Sequence, residues 1–478
     1  MGYAHPMKSR RHIARLIAAS VLVVGSGVVL APGGASSVQA VTCTLCGGGE
    51  FLPLTPARIF DSRTASPIND VAPVGAKPLG APEPATFNIG LVGPSGFGGL
   101  PVDPLQVLAV VVNITVTDPG AAGYLEAYGT GAQPAAHTSI INFAANQTVP
   151  NVAIVRPGTD GMLTIGLYGQ SGSANVIVDV FGWFSTSAYT TGDGARLIPT
   201  TPSRILDTRD GTGLPGGVPA AVGPKGVIDL KIRGANGVNP PVTPAVPDSP
   251  TISGVLLNVV GLTTEPGAKA TYLSLLPDAP VPGVDPTTSN VNLAAGVIKA
   301  NLVFVPVGTD GHVHIFNYQG ATQVVADVVG YMQSGALETT RSGRVVPLTS
   351  PYRTFDTRQP QFGGVALGPG QAEDWSYADF ASSVFIGSAA VGPQLGVIGN
   401  LTSAEIKRQY PSQIAQSYLT AYPADAARPT SSNLNTIEGP PVPNMAVLKY
   451  GANAAVRVYN NAGYTQYIFD ASAVILSD

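Results

Sequence analysis

The stretch SRILDTR, Ser203 to Arg209, returns as ARIFDSR at Ala57 to Arg63 and as YRTFDTR at Tyr352 to Arg358, so the chain holds three copies of one unit. Asp61, Asp207 and Asp356 stand 146 and 149 residues apart. Solenoid repeats run to roughly 20 to 50 residues, so a period of this length is a whole domain. For 478 residues, domains of about 100 to 200 residues each also give three.

Further landmarks recur in fixed order. A strongly apolar segment leads to Asn113, Asn258 and Asn400, and a tyrosine segment follows with Tyr124, Tyr272 and Tyr418 in register. Next come a Ser-x-x-Asn step (Ser139 and Asn142, Ser289 and Asn292, Ser432 and Asn435) and a hairpin, PNVAIVRPGTDGMLTIGLY in its first form. Thr-Asp-Gly supplies the left-handed residue such a turn needs, and Asn453 stands in for it in the third copy. Each copy closes on a strand bearing Asp179, Asp327 or Asp470. Gly (57) and Pro (43) make up about a fifth of the chain and favour short strands joined by turns over helices. The expected class is all-β: three tandem antiparallel β-sandwiches of Greek-key or jelly-roll type, at residues 51–186, 195–334 and 344–478. No threefold sub-repeat inside a copy supports a β-trefoil. Copy three alone carries an insertion, 402–417, in which Ser403-Ala404-Glu405-Ile406 resembles a helix start and Pro411 limits the helix to about two turns.

Residues 1–40 read as an export signal: Lys8, Arg10, Arg11 and Arg15 precede the apolar run LIAASVLVVGSGVVLA, and VQA fits a small-residue cleavage site. Without that segment 21 basic residues face 29 acidic ones, a net charge of −8, which leaves no basic patch for nucleic acid. No second apolar run of about 18 residues follows, so no membrane span is expected in the mature chain. The tail 41–50 holds both cysteines, Cys43 and Cys46. A disulfide is favoured over half a metal site, because no second Cys pair and no nearby His completes four ligands.

Only 11% of residues are charged, yet Arg-x-x-Asp-x-Arg and the closing Asp recur in every copy. The set is Arg58, Asp61, Arg63 and Asp179; Arg204, Asp207, Arg209 and Asp327; Arg353, Asp356, Arg358 and Asp470. The favoured reading is a partly buried hydrogen-bonded network where first and last strands meet; the competing one is a pocket for sugar or carboxylate. Asn113, Asn258 and Asn400 are expected to satisfy backbone groups at a strand end or bulge. Tyr168, Tyr318 and Tyr459, with Asn317 and Asn460, are the candidate glycan-binding residues, since aromatics stack on sugar faces while amides meet hydroxyls. His312 and His314 share one strand face, but the other copies lack both, which favours a solvated face; no metal or cofactor is assigned. No G-x-S-x-G, H-E-x-x-H or P-loop occurs, and no catalytic residue is assigned.

The opening R-[IT]-[FL]-D-[ST]-R, the central PN[VM]A[IV] and the closing [VA]DV[FV]G[WY] together resemble a tandem repeat of secreted actinobacterial (high-GC Gram-positive) surface proteins. The resemblance spans about residues 51–478 and departs most in copy three, where Asp470 is followed by Ala-Ser-Ala. It implies an extracellular, non-catalytic module. The expected function is secreted binding or adhesion at a cell surface, contacting cell-wall or other glycans through a repeated face whose weak contacts add by avidity. A purely structural coat protein is the first alternative. A glycan-active hydrolase is the second, with the insertion around Glu405 as its place.

Overall fold

The computed structural model describes residues 11–12, 47–64, 75–80, 82–91, 100–101, 103–135, 137–186, 189, 194–238, 240–335, 340–383, 385–386, 389–407 and 416–478. The export segment apart from residues 11–12, and Cys43 and Cys46, lie outside them. In copy one the main strands are β1 (Phe51–Asp61), β2 (Ala85–Gly90), β3 (Val107–Thr117), β4 (Gly123–Gly129), β5 (Ile141–Phe143), β6 (Val149–Val155), β7 (Met162–Gly169) and β8 (Ser173–Ser185). Copy two repeats them as β9 (Arg196–Asp207), β10 (Val227–Lys231), β11 (Ile252–Leu262), β12 (Thr271–Leu276), β13 (Val291–Leu293), β14 (Ile298–Pro306), β15 (His312–Asn317) and β16 (Gln323–Gln333). Copy three gives β17 (Val345–Asp356), β18 (Ala372–Ser376), β19 (Gln394–Lys407), β20 (Gln416–Pro423), β21 (Leu434–Ile437), β22 (Val442–Lys449), β23 (Ala455–Asn460) and β24 (Tyr464–Leu476).

Each copy forms two antiparallel sheets with the same strand orders: β1-β8-β3-β6 and β2-β7-β4-β5 in copy one, and their counterparts in the others. Within a copy the two sheets share one apolar cluster; Val110, Val112 and Ile114 of β3 meet Leu125, Leu163 and Ile165. A further cluster belongs to no single copy. It joins Phe51, Val111, Phe181 and Phe184 to Leu256, Phe304 and Met332 and to Ile398, Met445 and Ile475. All these residues come from the sheets of the first order, which are therefore the inner ones, and β6, β14 and β22 pack pairwise against one another.

This corrects the expectation of three sandwiches strung in tandem: six small sheets stand in one ring around a shared core. The physical reason lies in strands such as β3, whose every residue is buried. Alternate residues face the copy's own core (Val110, Val112, Ile114, Val116) and the shared one (Ala109, Val111). Burial on both faces removes the polar/apolar alternation of a half-exposed strand.

Local chemistry sets the rest. The proline-bearing segments Leu52–Pro56, Ile198–Pro202 and Pro347–Pro351 lie in β1, β9 and β17, edge strands of the inner sheets, where the missing amide costs no interior ladder bond and the register slips against the closing strand. Gly161 and Gly311 take φ of 74° and 87° in the hairpin turns, and Asn453 takes φ of 59° in the third. The helix expected at Ser403 is instead strand: Ser403 and Ala404 continue pairing with Tyr467 and Gln466, and Glu405 takes φ of 51° in a bulge. Ladder bonds with an already formed neighbour outweigh a weak capping signal. Residues 408–415, Pro411 included, lie outside the described residues. No helix among the described residues is long and apolar enough to cross a membrane.

Because the shared core draws on every copy, the chain should unfold in one calorimetric transition. Copy two excised as 195–334 should expose Leu256, Leu302, Phe304 and Met332 and bind an apolar dye; three resolved transitions, or a stable dye-free fragment, would contradict the shared core.

Candidate functional site

Moving outward along one face of β3, Ala109 and Val111 give way to Asn113, then Thr115 and Thr117. Asn113 is fully buried, and its amide must find partners across the boundary with copy two. Its Nδ2 donates to Ser289 O at 3.0 Å, and its Oδ1 accepts from Asn301 Nδ2 at 3.3 Å. The next seam repeats this: Asn258 Nδ2 donates to Ser432 O and its Oδ1 accepts from Asn444 Nδ2 at 2.9 Å. The third returns to the first copy, with Asn400 Nδ2 donating to Ser139 O at 2.5 Å and its Oδ1 accepting from Asn151 Nδ2 at 2.9 Å. Asn151, Asn301 and Asn444 also each donate to a carbonyl of their own copy, Ile140, Asn290 and Asn433. Six asparagines thus close a head-to-tail ring, copy one to two, two to three, three to one. The first three do satisfy backbone groups, but those of a neighbouring copy.

Beside the asparagines lies the charged set. Arg58 Nε donates to Asp179 Oδ1 at 2.9 Å, Arg204 Nε to Asp327 Oδ1 at 2.9 Å, and Arg353 Nε to Asp470 Oδ1 at 2.8 Å. Arg63, Arg209 and Arg358 chelate Asp61, Asp207 and Asp356 through Nε and NH2. All six carboxylates are buried while the arginines reach solvent. Two arginines also span seams, Arg58 to Thr287 O at 3.2 Å and Arg204 to Thr430 O at 3.3 Å. Burial alone would raise Asp61, Asp207 and Asp356, but the bonds from Arg63, Arg209 and Arg358 outweigh it and hold them below the usual value. At the closing aspartates burial prevails: Asp179, Asp327 and Asp470 are pushed up despite Arg58, Arg204 and Arg353.

A cleft of about 360 Å³ opens at the seam between copies one and two. Its walls bring together Arg58 and Arg63, the hydroxyl residues Thr115, Thr117, Thr148, Thr287, Thr288 and Ser289, Asn292, and Tyr272. Tyr272 is half-buried, stacks on Tyr318 with centroids 4.7 Å apart, and donates to Pro286 O at 3.0 Å. The seams are not chemical copies of one another. Where copy one has Thr115 and Thr117, copy two has Val260 and Leu262, which pack with Ala300 and Val325 in an apolar cluster, and copy three has Thr402 and Ala404. The three seams therefore present different side chains at these positions.

The proposed glycan platform also needs correction. Asn317 is fully buried, with Nδ2 donating to Val222 O, Gly223 O and Gly320 O; Asn460 does the same toward Leu367 O, Gly368 O and Gly463 O. They hold turns together. Tyr168 is buried, stacked on Tyr124 and bonded to Glu126 Oε2. Tyr318 lies under Lys225 Nζ at 3.7 Å, and buried Tyr459 under Arg428 at 4.0 Å. His314 is buried too, not on a solvated face, and only His312 is half-exposed. Sequence reasoning missed the ring's second set, Asn151, Asn301 and Asn444, although Pro/Ala-Asn in each hairpin was its signal. It also missed Glu50, Arg196 and Arg344, which stand at one position of the three copies and meet, Arg196 Nε at 2.9 Å and Arg344 NH2 at 3.2 Å from Glu50 Oε1.

No protein-family model and no curated protein matches the chain. Among solved structures, an archaeal virus protein described with a triple jelly roll fold and turret assembly aligns at 10% identity and a TM-score of 0.17, covering 89% of this chain and 90% of that one. A chain of Sulfolobus turreted icosahedral virus aligns at 10% identity and 0.17, covering 90% and 92%. At that TM-score neither likeness places the fold or function of this chain.

Asp327→Ala should cost about 1.5 to 3 kcal/mol, the worth of hydrogen bonds to a charged group, since Arg204 loses Asp327 but keeps Asp207 at 3.1 Å; an unchanged melting temperature would show the pair to be dispensable. Arg209→Ala tests the pH dependence. A carboxylate with a lowered folded value contributes stability above its unfolded value of about 4 and loses it as pH falls through the folded one. The stability gap between the protein and this variant should therefore be full at neutral pH and close below about pH 4. A gap independent of pH would deny Arg209 its hold on Asp207.

Proposed function

We propose that each copy is an eight-stranded jelly roll and that the ring is an extracellular, non-catalytic module binding a hydroxyl-rich polymer such as a cell-wall glycan at the seam between copies one and two. The strand orders β1-β8-β3-β6 and β2-β7-β4-β5 are those of two interleaved Greek keys, an arrangement used by lectin domains among others. The observation that carries the reading is the cleft: about 360 Å³, inside the roughly 300 to 1,000 Å³ of small-molecule sites. Six serine and threonine residues and one asparagine offer donors and acceptors, and Tyr272 offers an aromatic wall. Arg58 and Arg63 are balanced by Asp61 and Asp179, so the local charge is close to neutral and favours a polyol over an anion.

The same residues argue against hydrolysis. Glycoside cleavage uses two carboxyl groups facing the scissile bond, and among the described residues no carboxylate lines the cleft; Asp61 and Asp179 are buried and tied to arginines. Export, and the resemblance to secreted actinobacterial surface repeats, fit an extracellular target. A purely structural role draws support from the ring itself, which absorbs most of the repeated polar residues.

Incubation with purified cell walls and a polysaccharide panel, measuring pelleting and released reducing ends, separates the readings. The expected result is pelleting without release, weakened at least tenfold by Tyr272→Ala with little change in melting temperature. Pelleting unaffected by Tyr272→Ala would move the site elsewhere, release would establish an enzyme, and neither would leave a structural role.

A further inference from the structure

On the outward face of copy two's outer sheet, the edge strand β10 runs beside β15. Ile228 and Leu230 point into the core, as do Val313 and Ile315, so Asp229 and Lys231 share the opposite face with His312 and His314. The ladder sets Asp229 directly across from His314 and Lys231 across from His312. The hairpin turn adds Asp310, whose Oδ1 accepts the His312 amide at 3.0 Å. That bond leaves Oδ2 at 3.6 Å from His312 Nδ1 and 3.9 Å from His314 Nε2. Asp229 Oδ1 lies 3.9 Å from His312 Nδ1 and 3.7 Å from His314 Nδ1. Ligand atoms of Asp229, Asp310 and His312 all fall within 4.8 Å of one another.

These separations are too long for direct hydrogen bonds. Metal–ligand bonds of about 2.0 to 2.1 Å in a tetrahedral shell put neighbouring ligand atoms about 3.3 to 3.4 Å apart, so the histidine–carboxylate pairs at 3.6 to 3.9 Å would close by a few tenths of an ångström and the exposed carboxylates, which are free to turn, by more. The equivalent ladder positions in the other copies are closed without any ion. Thr164 Oγ1 donates to Asn88 Oδ1 at 3.0 Å in copy one, and Arg457 donates to Asp374 at 2.6 and 2.8 Å in copy three. Only copy two holds that pair apart, with a histidine whose side chain is nine-tenths buried and whose two nitrogens face the two carboxylates.

We propose that Asp229, Asp310 and His312, with His314 lying between the two carboxylates, form a divalent transition-metal site that staples the edge strand β10 to β15 and the adjoining turn. An imidazole with two carboxylates favours Zn²⁺, Co²⁺ or Ni²⁺ over Ca²⁺ and Mg²⁺, which prefer all-oxygen shells. Lys231 is exposed, and its flexible stem lets the ammonium swing into solvent. The site is independent of the cleft at the seam.

The test uses the full chain with Cys43→Ser and Cys46→Ser, which removes competing thiolates, after stripping with EDTA. Titration with ZnCl₂ by calorimetry should give one equivalent, saturating Zn²⁺ should raise the melting temperature, and Co²⁺ should develop visible absorption bands. His312→Ala and Asp310→Asn should each weaken Zn²⁺ binding at least tenfold and abolish the melting shift. Both leave His314 in place, and Asn at 310 keeps the acceptor for the His312 amide, so loss of binding is not loss of fold; metal-free melting of each should match the parent. No binding by the stripped parent, or unchanged affinity in both variants, would overturn the site.

Discussion

A sheet buried on both faces cannot carry a polar side chain unless some other part of the molecule satisfies it, and the inner sheets carry six such asparagines. An unpaired buried amide costs about 1 to 3 kcal/mol, so Asn113, Asn258 and Asn400 are tolerable only if a neighbouring copy stands in one place. Each donates to a serine carbonyl of the next copy and accepts from that copy's hairpin asparagine. Apolar contact alone would hold three inner sheets together in several relative positions. The asparagines select one of them, and because the third copy bonds back to the first, no copy is left with an open end.

The scarcity of charge follows from the same geometry. With one face of every inner sheet turned to its own core and the other to the shared one, charged side chains gather where strands reach the seams, and twelve of them form three near-identical clusters there. The single Oε1 of Glu50 draws both Arg196 and Arg344, a position at which strict repetition would set three like charges against one another. One acidic copy and two basic ones turn that repulsion into an ion triad, with Arg196 also donating to Thr340 O and Ser342 O. Symmetry is kept in backbone and packing and broken where electrostatics demands it.

What could be read from sequence was what is encoded within a few residues. The Thr-Asp-Gly turns, the alternating outer strands and the recurrence of Asp207 with Asp327 are local or repetitive signals, and the strands came with them. The ring was not legible in the same way. A strand such as VLAVVVNITVT announces burial on both faces, but not whether the second face meets its own copy or another. Aromatic residues beside a turn suggested a sugar platform at Tyr318 and Tyr459; that Lys225 and Arg428 would cover them depends on loops distant in sequence. The cleft was invisible for a similar reason, since its hydroxyls come from β3, from the segment before β6 and from a loop of the neighbouring copy.

Once the asparagines and the arginine–aspartate pairs fix the ring, positions just beyond them no longer have to agree among copies. One residue pair outward from Asn113, Asn258 and Asn400, the side chains are Thr115 and Thr117, Val260 and Leu262, Thr402 and Ala404: a polar cleft at one seam, an apolar seal at the next, a mixed wall at the third. On the outer sheets the same ladder position holds Thr164 with Asn88, His314 with Asp229, and Arg457 with Asp374. Such divergence costs the fold little, because these positions lie outside both the shared core and the ring of amides. A single-copy protein would have to place a polar cleft and a histidine–aspartate cluster on one scaffold's surface. Here three equivalent scaffolds are locked together by residues that do not vary, and different chemistry is borne by each at positions that do.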